Sequence, residues 1–285
     1  MRFAITATDR YLGVFQAFVE RGWQPLKLFT TPVDQRMHHH RAVIDYAARL
    51  NINVQLTRLD EQNLRELAEA GCEALVVASY QWRIGGWRPF LKYAVNFHPS
   101  PLPLGRGPYR LPSAVLENLP AWGVSCHKLE PEFDAGDVLR SALFPLAADE
   151  DHDSLDLKVQ LAARRLAGEV ATHFESDWHS ALAQRGGSYH SLWTPEERQL
   201  DFTQSVAQIL RRVRAFGPIE SLAVVNGALL FVRRAVGWCE AHTLRPGQVV
   251  HVTRQAMVFA VADGYVGLTQ WSLTDPAARA ETAHD

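Results

Sequence analysis

Ala74-Leu-Val-Val-Ala78 is an unbroken apolar run, and Tyr93-Ala-Val-Asn-Phe-His98 follows it closely in the chain. An apolar run of strand length predicts a strand buried on both faces, as happens where helices cover a parallel sheet. Working outward from this pair, Phe3 to Thr6, Leu26 to Phe29 and Val54 to Leu56 read as further strands. Helical patterns lie between them. Tyr11 to Arg21 sets Val14, Phe15, Phe18 and Val19 on one face and stops at Gly22. A second helix carries Val43, Ile44, Ala47 and Leu50, and Asp60 caps a third that runs through Leu67 toward Gly71. Strands alternating with helices of this length predict an α/β fold, a Rossmann-like doubly wound, mostly parallel sheet.

Downstream, Leu111 to Asn118 predicts a helix and Gly123 to Lys128 a strand. A long amphipathic helix is expected after Asp153 or Ser154, with Leu157, Leu161, Ala162 and Leu166 on its apolar face. From about Gly186 the texture changes. One helix, Val206 to Arg214, precedes short β-like runs at Leu222–Val225, Leu229–Val232, Gln248–Thr253, Val258–Val261 and Val266–Gln270, with Gly227, Gly247 and Gly264 as turns. These runs predict a smaller, mainly β, barrel-like C-terminal domain. The expected division is therefore 1–185 for the catalytic domain and 186–285 for the β-rich domain, with a frayed tail over Ala277 to Asp285.

Of 285 residues, 47% are hydrophobic and 21% charged, and the formal net charge is −2. A chain this long buries a substantial core. Its balance gives no global pull toward nucleic acid or membranes. Cys72, Cys126 and Cys239 are far apart and odd in number, so neither a disulfide framework nor a zinc ribbon is indicated. The N-terminus lacks a signal-peptide core and no run approaches a membrane span, so a cytoplasmic location is expected. Consecutive histidines at Met37-His38-His39-His40, without acidic or thiol partners, read as a solvated loop, and no metal is expected. Arg211, Arg212 and Arg214 crowd one helix and read as a solvated face.

The chemistry centres on Asn96-Phe-His98. Strand alternation sends Asn96 and His98 to the side opposite Val95 and Phe97, and the prolines at 99, 101 and 103 end the strand. Ligands of open α/β sheets collect at such strand ends. The Asn amide donates to a carbonyl oxygen that gains negative charge, and an imidazole handles protons near neutral pH. Asp134, in a turn set by Pro131 and Gly136, returns toward that ring to orient it and stabilise its charged form.

Longer strings carry a resemblance. Asn96-Phe-His-Pro-Ser-Pro-Leu-Pro-Leu-Gly-Arg-Gly107, Trp122-Gly-Val-Ser-Cys-His-Lys-Leu129 and Phe133-Asp-Ala-Gly-Asp-Val-Leu139 are similar to the signature of the folate-dependent formyltransferases. That family includes glycinamide ribonucleotide, methionyl-tRNA and sugar-nucleotide enzymes. Ser125 and Ala135 stand where the family usually has threonines, and Pro101 is unusual in the turn. Arg245-Pro-Gly-Gln-Val-Val250 and Asp263-Gly-Tyr-Val-Gly-Leu268 are similar to the C-terminal barrel of the methionyl-tRNA enzymes.

The resemblance implies formyl transfer from 10-formyltetrahydrofolate to an amine without a metal. Asn96 and a protonated His98 would hold the tetrahedral oxyanion, with Asp134 keeping His98 charged. Transfer is direct, so Ser100 and Cys126 need not be nucleophiles. The donor would be held by backbone groups of Gln81, Trp82, Arg83 and Ile84, with Glu132 and Phe133 closing the other side. The resemblance also implies a cis peptide before Pro103. Arg10 and Arg106 are expected on the acceptor side.

Thr6-Ala-Thr-Asp-Arg10 lacks the glycine-rich loop that cradles a ribose phosphate, which argues against glycinamide ribonucleotide. The Thr31 to His40 segment is short and carries only Arg36, which argues against tRNA. A small amine such as an amino-sugar nucleotide is therefore the expected acceptor. Methionyl-tRNA, formyltetrahydrofolate hydrolysis and a non-catalytic folate-binding scaffold are the alternatives. Such hydrolases usually carry an N-terminal regulatory domain, for which the sequence offers no counterpart. A homodimer is left open.

Overall fold

Strands β1 (Arg2–Ala7), β2 (Gln24–Phe29), β3 (Asn53–Gln55), β4 (Ala74–Ala78) and β5 (Tyr93–His98) pair in parallel in the order β3-β2-β1-β4-β5. They belong to a computed structural model that describes residues 1–32, 39–187 and 189–273. The crossover helices are α1 (Leu12–Glu20), α2 (Arg41–Arg49) and α3 (Glu61–Glu69). The predicted cap of α3 is present: the Asp60 side chain accepts from the Asn63 N–H at 2.9 Å, and Asn63 returns the contact to the Asp60 N–H. Every residue of β4 is buried, as its apolar run requires.

Helices cover both faces of this sheet. On one, Phe3 meets Phe15 and Phe18 of α1 and Trp23 in edge-to-face or tilted contacts. On the other, Ala4, Leu75 and Val77 pack with Leu64 and Leu67 of α3 and with Ile84, Trp87 and Leu91. Each such buried aliphatic or aromatic side chain contributes about 1.5–3 kcal/mol of transfer free energy.

The sheet departs from a purely parallel one at its far edge. β6 (Ala121–Lys128) returns antiparallel beside β5, and β7 (Val138–Pro145) pairs antiparallel with β6 to complete seven strands. β7 has no counterpart in the sequence reading. Its exposure alternates only from Ser141 to Pro145, and there the outward side chains include Leu143, so no apolar–polar alternation announces it in the sequence. The peptide before Pro103 is cis, as expected.

Helix α4 (Leu111–Leu116) precedes β6, and α5 (His152–Ser180) follows β7. The apolar face of α5 is only partly the expected one, since Ala162 and Leu166 lie on it but Leu157 and Leu161 do not. Leu157 and Leu161 are 60% and 65% exposed, while Leu155, Val159, Ala162, Ala163, Leu166, Ala167 and Val170 are buried. Three of these seven buried residues are alanines, which permit close packing, and the exposed leucines nearby mask the stripe in the sequence.

Met1–Arg110, Ala121–Pro145 and Leu157–His190 form one compact unit. A second unit gathers Leu111–Pro120, Leu146–Asp156 and the described residues from Ser191. Its helices are α4, α6 (Pro195–Arg198) and α7 (Val206–Phe216), and its strands are β8 (Ser221–Val225), β9 (Ala228–Cys239), β10 (Val249–Val252), β11 (Met257–Val261) and β12 (Gly264–Ser272). They form one antiparallel sheet ordered β10-β11-β12-β9-β8, as the turn-separated runs foretell. Ile209 and Val213 of α7 pack on Val232, Phe259, Val266 and Leu268. Arg212 and Arg214 of this helix donate to the backbone carbonyls of Glu197 and Glu150. Arg36, Met37, His38 and the tail from Ala277 lie outside the described residues.

Candidate active site

The chain moves outward from β1 to β2 and β3, then returns to the other side of β1 at β4, so the carboxyl ends of β1 and β4 flank a topological switch point. β5 lies next to β4 and ends at His98. Asn96 is half-buried, and His98 is buried at 5% exposure. Beyond β5 the prolines turn the chain tightly, with Trp122 Nε1–H donating to the Pro99 carbonyl at 2.9 Å. Ser125 braces the same turn. Its hydroxyl lies 2.9 Å from the Ser100 carbonyl and accepts from the Leu102 N–H at 3.0 Å, so serine supplies the hydroxyl usually brought by a threonine.

Asp134 reaches back to this strand. Its backbone has φ +55°, a left-handed conformation that aspartate tolerates better than most residues. Gln184 clamps the turn, donating to the carbonyls of Asp134 at 2.7 Å and Gly136 at 2.8 Å. The carboxylate is divided between two sets of partners. Oδ2 accepts the Gly107 N–H at 2.9 Å. Oδ1 lies 3.3 Å from His98 Nδ1 and accepts from Asn96 Nδ2 at 3.4 Å. The three residues expected to converge from the sequence do so.

A fourth side chain joins them. His127 lies directly across the β5–β6 ladder from Asn96, and its Nε2 is 3.0 Å from Asn96 Nδ2 and 3.5 Å from Asp134 Oδ1. The sequence reading did not single it out. A parallel sheet supplies no cross-strand partner to Asn96 from this strand, and only the antiparallel return of β6 does.

Burial, the largest influence on His98, pulls its pKa below the usual imidazole value. The nearby charges of His127 and Arg110 act the same way, while Asp134 and the Gly105 carbonyl oppose them. The ring is therefore neutral at pH 7 rather than charged. Its Nε2 faces the Gly105 carbonyl at 2.8 Å, which holds the single proton there and leaves the Nδ1 lone pair toward Asp134. Burial also pushes the Asp134 carboxyl up, but the charges His98 and His127 carry when protonated, a hydrogen bond from a protonated His127 and the Gly107 N–H together outweigh it and leave the pKa at about 2. Asp134 is ionised throughout the physiological range. Burial drives the Cys126 thiol well up and the Cys72 thiol to about 11, so neither is a ready nucleophile.

The segment expected to hold the donor follows β4. Gln81 and Arg83 are exposed, Trp82 is half-buried and Ile84 is buried. Tyr80 stacks edge-on against Trp82 at 5.2 Å between centroids, and its hydroxyl accepts the Leu59 N–H at 2.7 Å. Glu132 and Phe133 are exposed on the Asp134 turn. Arg83 bridges the two segments, donating to the Pro131 carbonyl with its guanidinium 5.5 Å from the Phe133 ring centre. Arg88 adds contacts of 2.6 Å to both carboxylate oxygens of Glu130.

The two arginines expected on the acceptor side differ. Arg106 turns to the carbonyls of Gly186 and Gly187 at 3.3 and 3.0 Å, and so fastens its loop to the end of the unit. Arg10 lies in a short 3₁₀ turn after β1, its guanidinium 5.2 Å from the Tyr11 ring centre. Among the described residues no cluster of His, Cys, Asp or Glu is placed to hold a metal, and no helix is long and apolar enough to cross a membrane.

Comparison with known proteins places this geometry in context. Residues 193–281 match the family described as "Formyl transferase, C-terminal domain". A methionyl-tRNA formyltransferase of Lactococcus lactis subsp. lactis is 25% identical over 269 residues, which is 93% of this chain and 80% of the relative. One from Janthinobacterium is 28% identical over 179 residues, 62% of this chain and 57% of the relative. The matched C-terminal domain and these relatives together support a folate-dependent formyltransferase family for the chain. Two solved structures agree in fold. HypX from Aquifex aeolicus, in complex with tetrahydrofolic acid, superposes with TM-score 0.70 at 21% identity over 98% of this chain and 46% of its own. WlaRD, a sugar 3N-formyl transferase, superposes with TM-score 0.66 at 14% identity over 96% of this chain and 98% of its own. The chain thus spans about half the length of HypX and nearly all of WlaRD.

Proposed function

We propose that this formyltransferase-family chain moves a formyl group from 10-formyltetrahydrofolate to the primary amine of a small acceptor, an amino-sugar nucleotide being the class that fits best. The observation that carries the reading is the convergence of Asn96, His98 and Asp134, with Asp134 Oδ1 within 3.4 Å of both partners.

The amine adds to the formyl carbon, forming the new C–N bond and a tetrahedral oxyanion. An Asn96 amide hydrogen meets that oxygen, and the charge raises the proton affinity of the neutral His98 ring. The surplus proton of the nitrogen leaves through the His98 Nδ1–Asp134 Oδ1 pair. N10 of the folate receives a proton as its bond to carbon breaks, giving the formamide and tetrahydrofolate. Trp82 and Phe133 offer flat apolar surfaces for the donor ring, and the backbone from Gln81 to Ile84 offers hydrogen bonds to its edge. Relatives solved with tetrahydrofolic acid or 5-N-formyl-THF support this donor class.

A second reading, methionyl-tRNA as acceptor, is favoured by the names of the relatives and by the C-terminal match. The small acceptor is preferred because tRNA binding works by neutralising phosphates and this chain carries a net charge of −2. Single-turnover consumption of 10-formyltetrahydrofolate against amino-sugar nucleotides, simple amines and charged initiator tRNA tests the choice. Formyl-sugar product is expected. Turnover with tRNA alone overturns the acceptor, and rapid donor loss without any amine assigns hydrolysis instead.

A further inference from the structure

We propose that His127 is a positioning residue that orients the Asn96 carboxamide, taking one of its two amide hydrogens on Nε2 and leaving the other to the formyl oxygen. For its kinetic consequences the inference rests on the formyl-transfer reading above.

Three contacts fix the arrangement. The His127 ring is buried, with its side chain 1% exposed. Its Nδ1 lies 2.8 Å from the Lys128 carbonyl, which can only accept, so Nδ1 carries a proton, and in the neutral ring Nε2 then presents a lone pair. That lone pair lies 3.0 Å from Asn96 Nδ2. An amide oxygen in that place would face both the imidazole lone pair and the Asp134 carboxylate, so chemistry assigns the nitrogen to this side. His98 has the opposite tautomer, its proton held on Nε2 by the Gly105 carbonyl at 2.8 Å. Two neighbouring imidazoles therefore carry their protons on different atoms, each set by a backbone carbonyl.

The distances also rank the two amide contacts. At 3.0 Å the bond to His127 is sound, whereas the 3.4 Å contact to Asp134 Oδ1 is at the edge of hydrogen bonding. When an oxyanion forms, the longer contact yields its hydrogen and the shorter one remains as the pivot. Without His127 the carboxamide rotates toward Asp134, and neither hydrogen is aimed.

Long-range 1H–15N correlation of histidine-labelled full-length protein at pH 8 should show His127 protonated on Nδ1 and His98 on Nε2. A His127 ring carrying its proton on Nε2, or charged at pH 8, overturns the proposal whether or not the protein transfers formyl groups. With an active acceptor, His127→Ala should lower kcat about 10- to 100-fold and leave KM for the donor within about twofold. His127→Gln, whose side-chain oxygen takes the place of Nε2, should recover much of the loss. Combined with Asn96→Ala, the alanine at 127 should add almost nothing. Full additivity overturns the proposal. Failure of the wild-type protein to consume donor with any acceptor tells instead against the formyl-transfer reading, leaving the tautomer result to decide this one.

Discussion

At the residue scale, electrostatics in the site follow from burial and from one carboxylate oxygen with too many neighbours. The folded pKa of His98 lies below its unfolded value, so the unfolded chain binds the extra proton first. Stability from this group is complete above the ordinary imidazole pKa of about 6.5 and falls as the pH drops below it. Asp134 behaves in the same direction over a lower window, its contribution lost as the pH falls from about 3.8 toward about 2. Thermal melts between pH 7 and 5 should therefore show wild type losing more stability than His98→Gln; parallel pH dependence of the two would refute the buried neutral ring. Asp134→Asn keeps the shape but removes the charge, and kcat should fall about 10²- to 10³-fold with little change in KM. A loss below threefold in steady-state assays would remove Asp134 from the mechanism. Asn96, His98 and Asp134 were legible in the sequence because strand alternation and a glycine turn suggest their directions and the longer strings around them resemble a known signature. His127 was hidden, since only strand polarity makes it a neighbour of Asn96.

At the element scale, the turn that carries Asp134 is held from outside itself. Gln184 bridges two of its carbonyls, and Gly107 supplies an N–H at a place where a side chain does not fit. A Cβ on Gly107 would lie 2.0 Å from the His190 carbonyl oxygen, and its φ is +103°. Gly107→Ala should therefore destabilise by more than about 2 kcal/mol in denaturant melts, and a change under about 0.5 kcal/mol would contradict the packing. Gln184→Ala should leave the global melt nearly intact while amide exchange across 130–136 quickens about tenfold; unchanged protection there would show that the turn holds itself. The strands and crossovers up to β5 were readable because apolar runs and helical periodicity agree. β7 was not, because apolar Leu143 faces outward and blurs the polar–apolar alternation of this edge strand. The inner face of α5 was misread because alanines form much of it and the leucines beside them point outward.

At the scale of the whole molecule, a doubly wound sheet with an antiparallel edge accompanies an antiparallel five-stranded unit. A donor analogue that cannot transfer its one-carbon group should raise the melting temperature. At 100 times its Kd it adds about 2.7 kcal/mol. Asp134→Asn, which spares the ring-binding segment, should keep most of that gain. No shift at millimolar analogue would discard folate as the donor.

The antiparallel return of β6 also limits how this protein can change over generations. Imidazole and carboxamide meet because residues 127 and 96 are opposite numbers on neighbouring strands. Losing a single codon between Trp122 and Cys126 would swing the imidazole to the reverse side of the sheet and bring a lysine into its place. Point substitutions along this strand can be tested by selection one at a time. Indels there amount to replacing the catalytic machinery in one step, and lineages that keep the activity should show none.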